Sequence, residues 1–181
     1  MSQAKQNLVE QLKETLVGAF HFLWTFIRNP IPYMKNVPEI PSSELITAYA
    51  ALSTLTGLAM GIISQSLFTM LWAVFIYPFV VLITSAVLSL IVFYSASYFS
   101  KTKISFQAVY TAVFLASVPA LILRVAFPVL KSVDIVGFAI SSILLKMSLE
   151  YYFGLDKKNA KLISFGLYSL LLLQFLGAFL I

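Results

Sequence analysis

Residues 45–100 contain no charged side chain, and neither do residues 104–123 or 162–181. Uncharged apolar runs of about 20 residues match the hydrocarbon thickness of a bilayer. Such runs can satisfy their backbone in lipid only as helices or as a closed barrel. Barrel strands would show short segments alternating every second residue, and these runs are instead continuously apolar. The expectation is therefore an all-α, polytopic membrane protein. Composition agrees: only 10% of the 181 residues are charged and 60% are hydrophobic, against about 25% charged in soluble domains.

Five spans are expected, at about 44–65, 77–98, 105–124, 134–154 and from 160 onward. The run 68–99 is too long for one straight crossing. Pro78 should break it and leave a short or tilted lead-in before the second span. Ahead of the spans, residues 7–27 read as an amphipathic helix. Leu8, Leu12, Leu16, Leu23, Trp24, Phe26 and Ile27 share a face opposite Glu10, Glu14 and His21. That face suits either the membrane interface or the side of the bundle. It carries no small-residue cleavage site, so it does not read as a secretory leader. Residues 28–44, RNPIPYMKNVPEIPSSE, hold four prolines and should form an ordered connector. Ser42 or Ser43 could cap the next helix, with Glu44 in its first turn. The chain thus divides into an arm and connector at 1–43 and a five-helix domain at 44–181.

Orientation follows from Lys and Arg. With the arm in the cytoplasm, Lys5, Lys13, Arg28, Lys35, Lys101, Lys103, Lys157, Lys158 and Lys161 lie inside, and only Arg124 and Lys131 lie outside. The C-terminus then falls on the outer face. This topology accounts for the net charge of +5 without nucleic acid.

In order and spacing, three stretches carry a family resemblance: FIRNPIPYMKNVPEI before the first span, KISFQAVYTAVFLASVP (Lys103 to Pro119) and GLDKKNAK (Gly154 to Lys161). The chain resembles the Yip family, the five-span Ypt-interacting proteins. It lacks the long acidic N-terminal region and the Asp-Leu-Tyr-Gly-Pro motif of eukaryotic members, so it is similar to the prokaryotic type. The resemblance implies a cell-membrane protein acting in membrane organisation, in trafficking or as an adaptor for partners at the cytoplasmic face. It implies no catalytic residues.

Catalysis has little to build on. His21 is the sole histidine and there is no cysteine. A zinc site needs three or four ligands and a Ser-His-Asp triad needs a histidine beside its serine. No phosphate-binding glycine loop is present. The chain reads as non-enzymatic, with neither metal nor cofactor.

Two polar constellations and one packing motif remain. Lys146 and Glu150, four residues apart in the fourth span, share one helix face, which Ser142 extends. A charge in the bilayer centre costs about 2.5–3.5 kcal/mol, so that face should turn inward. Gln174, Glu44 and Tyr49 are its candidate partners. The pair is either a dry register pin or the wall of a polar cavity that would serve transport of an ion, lipid or small solute. Arg124 and Asp134 form a second pair at the outer face. Gly57 and Gly61 form a GxxxG that lets helices approach closely, either within the bundle or in a homodimer.

Overall fold

The computed structural model describes residues 17–18, 21–100, 103–130 and 132–177. Among them the chain is helical throughout, with no strand. The elements are α1 (residues 21–28), α2 (Pro30–Lys35), α3 (Ser42–Ile63), α4 (Leu67–Phe75), α5 (Tyr77–Phe99), α6 (Phe106–Leu123), a 3-10 turn η1 (Arg124–Ala126), α7 (Val133–Tyr151) and α8 (Lys157–Gly177). Three of these are long and apolar enough to cross a membrane: Ser42–Ile63, Tyr77–Phe99 and α6 continued through η1, Phe106–Ala126.

The expected break before the second span is present. α4 ends at Phe75 and α5 begins at Tyr77, with Pro78 in its first turn. There the missing N–H of proline leaves nothing unsatisfied. α4 doubles back along α3 through a tight turn. Gln65 takes a left-handed φ of 52°, its N–H bonds Ile62 O, and the Ser66 N–H bonds Gly61 O. This is a Schellman closure in which glutamine occupies the position that glycine usually fills.

The connector is more helical than four prolines suggest. Chain direction changes at Asn29, but PIPYMK forms α2 with Pro30 opening it. Pro30 and Pro32 fall in the first turn, where backbone N–H groups have no helical acceptor. Met34 and Val37 bury their side chains, and α2 packs against α7. Of the expected helix over 7–27, residues 7–16 and 19–20 lie outside the described set, while 21–28 is helical. Its apolar face divides: Leu23 and Phe26 are buried, whereas Trp24 and Ile27 are exposed. Phe22 and Phe26 both meet the Tyr33 ring edge-on, at 5.7 and 6.0 Å, which fixes α1 on α2.

Neither serine caps α3. Its N-cap is Pro41, and Ser42 instead donates to Gln107 Oε1 at 2.8 Å. Gln107 Nε2 donates in turn to Ile40 O at 2.8 Å. One amide therefore clips the end of the connector to the first turn of α6, which serves both groups better than a local cap.

The interior is mainly apolar but also holds small hydroxyl residues, and the exterior, unlike that of a soluble bundle, is apolar too. Ser53, Thr56, Ser85, Ser89, Thr111, Ser141, Ser142, Ser148 and Ser164 are inside. Outside, α3 to α5 present Ile62, Phe68, Phe75, Phe79, Ile83 and Ile91. Several internal hydroxyls bond back to their own helix: Ser89 to Ser85 O, Thr111 to Gln107 O, Ser142 to Phe138 O and Ser164 to Ala160 O, each at 2.7–3.0 Å. Satisfied in this way, a serine behaves as a small residue and lets helices pack closely.

Candidate functional site

Lys146 and Glu150 are joined. Lys146 Nζ lies 3.0 Å from Glu150 Oε2, and both side chains are partly buried. α7 ends at Tyr151, so Glu150 is its penultimate residue and Lys146 sits five residues, about 7.5 Å, from the helix end. That is within snorkelling reach of an interface, closer than a position at the centre of a span running to 154. The neighbours differ from those expected. Ser142 is buried and donates to Phe138 O. Glu44 is exposed in the first turn of α3. Tyr49 faces elsewhere, its ring tilted against that of Phe114 with 4.5 Å between centroids. Gln174 belongs to α8, but its side chain lies outside the described set. At the same end of α7, Lys35 of α2 places its ammonium 4.8 Å from the Tyr151 ring.

The enclosed space lies elsewhere. A cavity of about 350 Å³ opens between α3, α5, α6, α7 and α8. Most of its wall is aliphatic and aromatic, from Val81, Leu88, Leu121, Phe138 and Leu171. Tyr49, Ser85, Ser117 and Tyr168 place hydroxyls along it, and Ser117 Oγ lies 3.3 Å from Tyr168 Oη. Arg124, Asp134 and Tyr77 also line it, and the guanidinium of Arg124 stands 5.7 Å from the Tyr77 ring centre. The structure thus brings Arg124 and Asp134 to the same cavity, the one from which Lys146 and Glu150 are absent. Asp134 is only 3% exposed, and its Oδ2 makes no hydrogen bond among the described residues. Among the described residues the buried hydroxyls of Tyr77 and Ser85 make no hydrogen bond of good geometry either, although Arg124 and Tyr49 respectively lie close to them. Buried polar atoms normally find partners, and leaving one unmade costs about 1–3 kcal/mol.

The sequence sets Arg124 and Asp134 apart as an outer-face pair and offers Tyr49 to the other pair, while Tyr77, Ser85, Ser117 and Tyr168 were missed. The signal for those hydroxyls was weak, because an isolated serine or tyrosine among leucines and valines marks no face by itself. Among the described residues no group of three or more His, Cys, Asp and Glu side chains could hold a metal ion.

Gly57 and Gly61 face α4. A Cβ built on Gly57 would stand 2.5 Å from Ala73 Cβ, and one on Gly61 would strike Met70, including its backbone. The GxxxG face is therefore filled by the same chain. A third contact of this kind joins α7 to α6, where a Cβ on Gly137 would lie 2.9 Å from Ala120 Cα. Small residues four apart on both helices, Gly137 with Ser141 and Ala116 with Ala120, were its signal in the sequence.

The described geometry is that of a helical bundle with an apolar exterior, an ion pair near a helix end and a partly polar cavity. No protein-family model, curated protein or solved structure matches the chain.

Proposed function

We propose that the chain is a non-enzymatic integral membrane protein of Yip type, with five spans, acting in membrane organisation or as a membrane adaptor. The observation that carries this reading is the apolar exterior: isoleucines, leucines and phenylalanines face outward along α3 to α5, while small hydroxyl residues sit inside among an aliphatic core. Water would penalise that surface heavily, whereas lipid accepts it. α7 and α8, at 19 and 21 residues, reach about 29 and 32 Å and match a bilayer, although α7 carries Asp134, Lys146 and Glu150. Packing of α7 on α6 and of α8 on α7 supports counting both as spans.

The arm would be the recognition surface. α2 is held by α7, by the Lys35–Tyr151 contact and by the Gln107 clip, so it is presented in a fixed pose. Together α1 and α2 show Trp24, Ile27 and Ile31 beside Arg28, whose guanidinium lies 4.7 Å from the Trp24 ring. An apolar patch rimmed by cations suits either the anionic inner leaflet or a protein docked upon it. The direct Lys146–Glu150 bond favours a register pin over a transport site at that pair.

The absence of cysteine makes topology directly measurable. Single cysteines at Asn36, Ser64, Ser100, Ser132 and Asn159 would be labelled with a membrane-impermeant maleimide in intact cells and in inverted vesicles. Five spans predict that 36, 100 and 159 label from the cytoplasm and that 64 and 132 label from outside. Labelling of Ser132→Cys and Asn159→Cys from one side would remove the fourth crossing and with it this reading.

A further inference from the structure

The cavity's polar end has a specific chemistry. Among the described residues Asp134 Oδ2 is a buried carboxylate oxygen with no hydrogen bond, and the Tyr77 and Ser85 hydroxyls line the same cavity. Arg124 lines the cavity too, near enough to Asp134 for their charges to interact. An acceptor and a cation side by side complement a ligand that carries an ammonium and an anion side by side. The rest of the wall is apolar. Trp72, Val80 and Thr84 line the cavity and are exposed on α4 and α5, so its mouth opens sideways, on the face that would meet lipid. About 350 Å³ suits a headgroup and the start of a chain, with the remainder lying in the bilayer.

We propose that this cavity binds a zwitterionic lipid headgroup of the phosphoethanolamine class, its ammonium on Asp134 and its phosphate on Arg124, with the acyl chains leaving through the mouth beside Val80. A primary ammonium fits because Asp134 Oδ2 needs a donor, which a quaternary ammonium cannot supply. A purely anionic headgroup would set its charge against the carboxylate. The inference rests on the membrane-embedded reading of α5 and α7.

The test uses the full chain purified in mild detergent and incubated with equimolar phosphatidylethanolamine and phosphatidylglycerol of identical chains. Lipid retained through gel filtration is counted per protein by mass spectrometry. Phosphatidylethanolamine should be held about tenfold over phosphatidylglycerol, the size of one charge-assisted hydrogen bond. Asp134→Asn should abolish that preference, and Ser85→Leu, which fills the cavity, should abolish retention of both lipids. Val80→Trp at the exposed mouth should also reduce retention, and it serves if either buried variant fails to fold. Lys146→Met, remote from the cavity, should leave the preference between the two lipids unchanged in the folded protein, whatever it does to stability. Equal retention of the two lipids, or undiminished retention by the Val80 variant, would overturn the proposal. Soluble phosphoethanolamine should compete poorly; if it displaces the lipid at equal concentration, the ligand is a free headgroup and the lipid assignment is wrong. Alkaline carbonate treatment of membranes separates the two inferences. A chain released by it refutes the membrane reading, whereas a chain that stays embedded but holds both lipids equally refutes only the headgroup site.

Discussion

Gly137→Ala and Gly166→Ala should move stability in opposite directions. Both glycines lie inside helices, α7 and α8, where alanine gains up to about 1 kcal/mol of helix propensity over glycine. Gly166 has nothing within 4 Å of an added Cβ, so it should keep that gain. At Gly137 the new methyl would stand 2.9 Å from Ala120 Cα and 3.2 Å from Ala120 Cβ. The obstacle is backbone, and Ala120 follows Pro119, whose ring restricts local adjustment of α6. Overpacking of this kind costs about 1–3 kcal/mol. With a backbone obstacle the cost lies toward the upper end of that range, and after a propensity gain of about 1 kcal/mol is subtracted Gly137→Ala should lose up to about 2 kcal/mol, as much as about a thirtyfold fall in the folded-to-unfolded ratio. Gly57→Ala should fall between the two. Its clash with Ala73 Cβ is closer, at 2.5 Å, but α4 is nine residues long and exposed on its outer side, so it can yield. The assay is unfolding by SDS in detergent micelles, followed by far-UV circular dichroism, with midpoints compared at equal slope. If Gly137→Ala stabilises the protein as Gly166→Ala does, the close α6–α7 contact is not what the alanine-sized hole implies. Sedimentation of Gly57→Ala should show an unchanged oligomeric state, because α4 already covers that glycine.

Gln65→Gly should raise stability by about 1 kcal/mol in the same assay, since glycine adopts the left-handed φ of 52° without the side-chain penalty. Asp156→Ala should lower it by about 1 kcal/mol. Asp156 Oδ2 accepts the N–H groups of Lys158 and Asn159 at 3.1 and 3.3 Å and so caps α8. Lys146→Met and Glu150→Leu should each destabilise the protein, because each leaves one charge uncompensated in a partly buried setting, whereas the double variant should recover most of the loss. A double variant that loses the sum of the two single effects would show that the charges act separately and would remove the register-pin reading.

The parts of this fold that were legible depend on strong local physics. The break near Pro78 could be placed because a run too long for one crossing has to part somewhere and proline removes a helical hydrogen bond, and α4 and α5 part at Ile76. The Lys146–Glu150 bond follows from helical spacing alone. The close approach at Gly57 and Gly61 was visible as GxxxG, but its partner was not, because a short helix folding back along α3 is decided by the turn at residues 64–66. That turn carries glutamine where a reader looks for glycine. α2 was hidden for a related reason: proline is read as a helix breaker, yet at a first helical turn it is neutral or favourable. Gln107 gave no warning at all. Its role as a clip depends on the connector passing over α6, a contact between residues more than sixty apart in sequence.

The two charge pairs show why location and role separate in such a chain. Lys146 and Glu150 drew attention because they interrupt an apolar run, and they are satisfied by each other, one helical turn apart. Arg124 and Asp134 looked ordinary because they sit at the ends of apolar runs, where charges are expected. Between them lie the turns after α6, which bring Arg124 over Tyr77 and swing Asp134 inward to 3% exposure. A charge pair within one helix is closed by the helix itself. A pair split across a turn, with one carboxylate oxygen unpartnered, can be completed by something from outside the chain. That difference moves the candidate site of this protein from the pair inside one helix to the pair across the α6–α7 turn.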